Sequence, residues 1–506
     1  MGRTTTGRPS QQLARGRGPA VLAACVVAGA LLRLLDIDQQ SLWFDEVYSL
    51  DMIHWPFGVM LTVRDGHPPL FHILLRGVVP VLGEHAGRYI SALAGTATIP
   101  LVYVLGKRLF DRPTALLAAI LLAISPLHVW YSREGRMYAL YVMFTLLASI
   151  AVERVARRGR PSDYAAWALS AAAGLMTHYG FAAVLLVQVF FLGWLAWRRA
   201  QRGQQLVMLA VVGFVGLAAM VPLARELVGG PLGTIRGFTI VALPYTAFTF
   251  VTGFGVGPTL SELHWSPTLA TFQPYAFEVG IAGLAVSLAL FLAARSASSA
   301  GRWGAYAVLW LIVPALLLLV RSGLTGTAYN VRYVLASLPA FLLLVAYGLR
   351  QERGAVAVVT LVLVAGVSVL SISRDRSSPR YQREQMREAA AFLMTEAANE
   401  DRVVVAARVE RRTLAYYLRR ASGGRLPFEL EALPVRAVDD ETEAREVLNR
   451  LSAEPRATWL VFSREWLEDP NGELRRVIHE RCPEALAAEL AGVTIFRLDF
   501  AEGCQL

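Results

Sequence analysis

The chain is 506 residues long, 55% apolar and only 17% charged, against roughly 45–50% and about 25% in an ordinary soluble protein. Residues 373–506 carry 21 Arg and 24 Asp/Glu, about half of all the charges, so the first 372 residues are lipid-compatible and the last 134 are not. These proportions exclude a soluble enzyme, a disordered chain and a nucleic-acid binder that relies on the formal charge of +10.

Residues 1–18 form a basic tail, and the first of eleven apolar runs follows at 19–35. The others lie at 87–106, 113–130, 137–153, 164–177, 179–197, 206–224, 276–294, 303–320, 333–349 and 355–372. Each is close to the ~20 residues that a helix needs to cross a bilayer. The first run has no small-residue cleavage site after Ala30 and reads as a retained helix, with Cys25 a small packing residue inside it. Basic residues set the orientation. With the N-terminus inside, 18 of the 28 Lys/Arg in residues 1–372 fall in inner segments. Among the acids, Asp111, Glu153, Asp163 and Glu352 face in, and the other eleven lie on or near the outer side. The fold class expected is a polytopic α-helical membrane protein of about eleven spans (19–372) with a small C-terminal α/β domain outside (373–506).

The outward loop 36–86 is too long for a plain connector. Its aromatics Trp43, Phe44, Tyr48, Trp55 and Phe57 belong at the headgroup level and put Asp45 and Glu46 at the membrane surface. Two adjacent acids there are either merely solvated or available for chemistry. Further on, Arg64-Asp65-Gly66-His67-Pro68-Pro69-Leu70 precedes a dozen-residue run, Phe71 to Leu82, predicted as an interfacial or re-entrant helix started by the two prolines.

Three later outward turns add basic groups: Trp130 to Tyr138, with Arg133, Glu134 and Arg136; Thr177-His178-Tyr179; and Tyr329 to Tyr333, with Arg332. A single Arg at a helix end reads as interfacial snorkelling. Arg88, Arg133, Arg136 and Arg332 together are better explained by a phosphate held at membrane depth. The outward segment 225–275 carries Gly253-Phe254-Gly255-Val256-Gly257-Pro258, which follows no strand and therefore reads as a gate, not a nucleotide loop. In the tail, helical spacing at 385–397 and 413–419 alternates with strand-like runs at 403–407, 458–462 and 493–498. Cys482 and Cys504 are the two exported cysteines, either paired as an oxidising compartment favours or present as two thiols.

Ser41-Leu42-Trp43-Phe44-Asp45-Glu46, Asp65-Gly66-His67-Pro68-Pro69-Leu70, Arg88-Tyr89-Ile90-Ser91-Ala92-Leu93-Ala94-Gly95 and, more loosely, Ser132 to Leu140 and Arg332-Tyr333 occur in an order that resembles GT-C superfamily membrane glycosyltransferases. The resemblance is to the bacterial family 39 type, relatives of protein O-mannosyltransferases and of the lipid A aminoarabinose transferase, and it covers roughly residues 30–350. It implies a polyprenyl-phosphate sugar donor and an acceptor glycolipid, polysaccharide or protein, met on the outer face of a bacterial cytoplasmic membrane. It also implies Asp45 as catalytic acid residue with Glu46 beside it, and Arg88, Arg136 and Arg332 on the leaving phosphate. Arg133, Glu134, His67 and His178 are further candidates for donor contact, with His178 also readable as an interfacial histidine bonded to backbone.

Some relatives use an Asp-x-Asp pair with a divalent metal. The match here, Asp36-Ile37-Asp38, precedes the motif core, so no metal or other cofactor is expected. Attack on a directly phosphate-linked sugar predicts inversion. The competing class is a lipid-linked sugar transporter or flippase, which would carry polar groups at the bilayer midplane on broken or repeated helices. No nucleic-acid partner is expected.

Overall fold

The computed structural model describes residues 9–62, 67–198, 213, 241–266, 268–325, 329–352, 354–433, 438–454, 456–500 and 504. By contacts the chain divides into two units. The first holds residues 1–37, 53–256 and 277–372; the second holds 38–52, 257–276 and 373–506. The acidic motif of the first loop therefore belongs to the same unit as the C-terminal domain, a division that the sequence boundary at 373 did not anticipate.

The first unit is helical. Among the described residues, six helices are long and apolar enough to cross a membrane: Leu70–Leu109, Tyr138–Arg157, Leu269–Ser299, Gly301–Leu324, Val331–Gln351 and Ala355–Ser377. A bent pair, Arg112–Ala123 and Pro126–Ser132, makes a seventh if counted as one span, and Gly18–Leu34 and Phe181–Trp197 are shorter apolar helices. The expected eleven is thus met by six or seven on length and composition, and the run 206–224 lies outside the described residues. Lipid would cover the side chains these helices leave bare, such as Leu93 (61% exposed), Phe190 (63%) and Val362 (63%).

The run from Leu70 to Leu82 does form a helix after Pro68 and Pro69, but it continues through a turn at Gly83–His85 into Ala86–Leu109. Gly83, with a positive φ (68°, ψ −155°), ends this first helix, so the 40-residue apolar segment Leu70–Leu109 is two helices joined at a break.

The bend of 59° at 124–125 has a local cause. Pro126 has no N–H to donate and forces Ser125 into extended backbone (φ −64°, ψ 117°), which ends one helix and begins the next. Pro126 cannot donate to the Leu122 carbonyl, which keeps a long 3.4 Å bond from Ser125 N–H, and Arg33, fully buried in the first helix, donates to the Leu122 and Ala123 carbonyls at 3.1 Å each. Its other bonds go to Gly29 O (2.8 Å), His128 Nδ1 (2.9 Å) and Ser132 Oγ (3.3 Å). Glycine at position 95 permits this approach, because a Cβ there would lie 2.1 Å from Ser132 Oγ. Elsewhere in the bundle, buried polar groups pair with one another: Trp167 Nε1 donates to Gln188 (2.8 Å) and Tyr306 Oη to Ser149 (2.9 Å). Two acids at helix ends are also paired: Glu153 faces Arg108 at 3.0 Å and Asp163 faces Arg154 at 2.8 Å.

The second unit is built on a five-stranded sheet: β1 Arg402–Val405, β2 Glu429–Ala432, β3 Thr458–Phe462, β4 Leu486–Leu490 and β5 Val493–Leu498, in the order β2-β1-β3-β5-β4. β1 pairs in parallel with β2 and β3, and β5 pairs antiparallel with β3 and β4. The central strands β1 and β3 are buried at every position, as continuous apolar runs require. Val404, Leu460, Phe462, Leu474, Ile478 and Phe496 form the core against helices Glu441–Leu451 and Glu473–Arg481.

Cys482 and Cys504 are joined, with Cα atoms 4.4 Å apart across 22 residues of sequence. A loop of that length restricts the unfolded chain by about 3 kcal/mol. Replacing both cysteines by serine should therefore lower the melting temperature of this domain by several degrees, read by thermal unfolding of the purified protein. An unchanged transition would show that the bond contributes nothing.

Candidate active site

In the first unit, five of the residues singled out from sequence converge. The imidazole of His178 stacks on Tyr141 at 4.6 Å and lies 5.5 Å from the Tyr333 ring, 5.8 Å from Tyr138 and 5.8 Å from His67. Arg332 places its guanidinium 5.3 Å from the Tyr333 ring and 5.7 Å from that of Tyr138. Arg136, only 2% exposed, is close enough for its charge to act on His67, His72 and His178. Glu134 is likewise buried, within electrostatic range of Tyr131 and Tyr138. Burial and then the Arg136 guanidinium hold the His67 imidazole well below its ordinary value, so it is neutral.

Local backbone fixes the hydrogen-bonding sense of His178. Gly180 N–H donates to Nδ1 at 2.9 Å, so in the neutral ring the proton sits on Nε2, which makes that atom a donor. Nε2 has no partner among the described residues, and neither has the buried Tyr138 hydroxyl. The backbone bond expected of His178 is therefore present at Nδ1, while Nε2 points to no partner among the described residues. His72, fully buried, has neither ring nitrogen partnered among the described residues. Two guanidinium groups, neutral histidines and a phenol on one aromatic patch form a surface complementary to an oxyanion.

Arg88 and Arg133 stand differently. Arg88 donates to Ile37 O at 2.9 Å, and Arg133 donates to Leu35 O at 2.6 Å and Asp36 O at 2.9 Å. Both satisfy carbonyls at the end of the first helix, where Asp36 takes a left-handed backbone (φ 53°). The four arginines grouped by sequence therefore divide: Arg136 and Arg332 in the aromatic patch, Arg88 and Arg133 at a helix terminus.

In the second unit, Asp45 and Glu46 open the helix Phe44–Met52. Glu46 accepts from the Trp43 backbone N–H at 3.2 Å, one half of a capping box, and is 3% exposed with Arg383 at 3.7 Å. That is a structural engagement. Asp45 keeps partial exposure, and its charge acts on Glu410 and Arg464. Asp65 and Gly66 of the second motif lie outside the described residues.

Sequence reasoning missed Arg33, His72 and Tyr138. Arg33 stands in the first apolar run, His72 in the run Phe71 to Leu82, and Tyr138 at the end of an outward turn. No signal in the sequence separates these from their neighbours, because their roles come from contacts across dozens of residues.

ArnT from Cupriavidus metallidurans in the apo state superposes with a TM-score of 0.57 at 12% identity, covering 98% of this chain and 100% of that one. The same protein bound to undecaprenyl phosphate gives 0.51 at 13%, covering 97% and 100%. The Archaeoglobus fulgidus oligosaccharyltransferase in the apo form gives 0.51 at 12%, covering 89% and 70%. At such identities the likeness is one of fold, and it makes this chain a polytopic membrane protein with the fold of GT-C glycosyltransferases. The family model for dolichyl-phosphate-mannose-protein mannosyltransferase matches residues 66–224, so the chain is mannosyltransferase-like in sequence over that part. No curated protein matches it.

Proposed function

We propose that the protein is an integral membrane glycosyltransferase that moves a sugar from a polyprenyl-phosphate carrier to an acceptor glycolipid, polysaccharide or protein on the outer face of the bacterial cytoplasmic membrane. The observation that carries this reading is the patch of Arg136, Arg332, His67, His178 and Tyr138, whose donors suit a phosphate oxygen. The carrier found with ArnT, undecaprenyl phosphate, belongs to the same chemical class.

In this reading the acceptor hydroxyl oxygen attacks the anomeric carbon while the bond from that carbon to the phosphate oxygen breaks. The electron pair leaves on the phosphate, where Arg136 and Arg332 offset the growing charge. The hydroxyl proton passes to Asp45 as general base. A phosphate departs as a stable anion, so no general acid and no metal are required, and a single displacement inverts the anomeric centre. The transporter reading is weaker, because His67, Arg136 and His178 lie in turns between helices and Arg332 in the first turn of its span, whereas a carrier pathway asks for ionisable groups along the spans.

Titration of polyprenyl phosphate into protein in nanodiscs, followed by native mass spectrometry, tests the donor site. Arg136→Gln and Arg332→Gln are each expected to weaken binding by about 10- to 100-fold, the loss of one charge-assisted contact. Wild-type affinity in both variants would remove this patch from the donor site.

A further inference from the structure

The segment that carries Asp45 is bound to the C-terminal domain along its whole length. Leu42 N–H donates to the Tyr417 hydroxyl at 2.6 Å and Ser41 Oγ to Glu388 at 2.7 Å, while Arg387 donates to Asp38 O at 3.2 Å. Arg412 lies 3.5 Å from Asp51 and 4.9 Å from the Tyr48 ring. Trp43 lies against two guanidinium groups, Arg383 and Arg464, each 5.3 Å from its ring centroid.

Arg464 is the unusual member. It immediately follows β3 and Ser463, takes a left-handed backbone (φ 51°, ψ 45°) that non-glycine residues seldom adopt, and directs its guanidinium to Glu384 at 2.8 Å and Glu410 at 2.9 Å. Strain of this kind is held where the surroundings over-determine it, which is characteristic of functional positions. Asp45 acts electrostatically on both Arg464 and Glu410.

We propose that Arg464 is a positioning residue for Asp45: through its contact with Trp43, directly before the helix that carries Asp45, the C-terminal domain fixes the place of the reacting carboxylate. The inference rests on the reading of Asp45 as the base. It gives the C-terminal domain a role in the chemistry, distinct from recognition of acceptor.

The local charge count supports it. The Arg464 guanidinium is shared between two buried carboxyls, Glu384 and Glu410, while Glu46 has Arg383 at 3.7 Å. Burial pulls Glu384 up, but Arg464 overrides it and holds that carboxyl below its ordinary value. Glu410 is left with the opposite result: burial, with Glu384 and Asp45 adding to it, outweighs Arg464 and pushes it up to about 7. Because the folded value lies above the unfolded one, the stability Glu410 contributes is present below its ordinary carboxyl range and is lost as pH rises through about 7. Over the same window a newly ionised Glu410 draws Arg464 away from Asp45, so turnover falls.

The test is steady-state turnover of the full-length protein in nanodiscs, from pH 5.5 to 8.5, for wild type, Arg464→Gln, Arg464→Lys, Glu410→Gln and Asp45→Asn. Arg464→Gln should lower kcat by about 10- to 100-fold with the donor KM unchanged, in the range a misplaced catalytic group costs. Arg464→Lys should recover part of the loss, and Glu410→Gln should remove the decline near neutral pH. Wild-type kcat in Arg464→Gln together with an unaltered pH profile in Glu410→Gln would overturn the inference, even with Asp45→Asn inactive. Full activity in Asp45→Asn would instead overturn the reading of the base. Should Arg464→Gln fail to fold, the Arg464→Lys and Glu410→Gln profiles decide alone.

Discussion

Asp45→Asn is expected to lower turnover by about 10²- to 10⁴-fold, the usual contribution of a general base, while leaving polyprenyl-phosphate binding intact. Asparagine has the same shape and accepts hydrogen bonds, but it does not take a proton at neutral pH. The neighbouring acid provides the contrast. Glu46 is buried and spends its carboxylate on the Trp43 backbone N–H and on Arg383, so its loss should show first as a less stable first-loop helix. Separate measurement of donor binding and of turnover distinguishes the two: a base changes kcat alone. Turnover of Asp45→Asn within a few-fold of wild type would remove this carboxylate from the chemistry and turn attention to Glu134.

Arg33→Met should be the most damaging substitution in the membrane unit. The side chain is fully buried and makes five contacts, three of them to backbone carbonyls at 2.8–3.1 Å and two to His128 and Ser132. His128 accepts from Arg33 through Nδ1 and faces Thr98 Oγ1 through Nε2 at 3.3 Å, so the network extends into a second helix. Methionine would remove the Arg33 donors from the Gly29, Leu122 and Ala123 carbonyls and from His128 and Ser132 in a low-dielectric interior, at a cost of about 3–5 kcal/mol. Lysine has the charge but not the planar fork, and should recover little. Thermal unfolding in detergent would read the effect as a fall of about 10 °C, and an unchanged transition would contradict this account of the bend.

The membrane helices were legible because an apolar run near 20 residues has few alternative fates. Ten of the eleven runs coincide with described helices, although only six or seven meet the length and apolarity of a span. In the tail, β3 and β5 match their predicted bounds, since Trp459, Val461, Ile495 and Phe496 are β-forming side chains in buried strands. β2 (Glu429–Ala432) and β4 (Leu486–Leu490) were missed: they consist of Glu, Leu and Ala, which prefer helices, and only pairing with β1 and β5 makes them strands.

The candidate site was legible in its residue types and not in its grouping. His67, His178, Arg136 and Arg332 were found by motif and do meet. Arg88 and Arg133 carry the same charge at similar depths, and nothing in the sequence says that their partners are the carbonyls of Leu35, Asp36 and Ile37. The motif around Trp43 gave no sign that it folds with residues 373–506, because that attachment runs through Glu388, Tyr417 and Arg464, more than 300 positions away.

The most direct measurement supplies purified protein in nanodiscs with a panel of polyprenyl-phosphate sugars and a membrane extract as acceptor, and follows release of polyprenyl phosphate together with the anomeric configuration of the product. Release with one donor, with the sugar transferred and inverted, is the result predicted. No release with any donor, accompanied by movement of the intact carrier between leaflets, would contradict glycosyl transfer and make the protein a transporter.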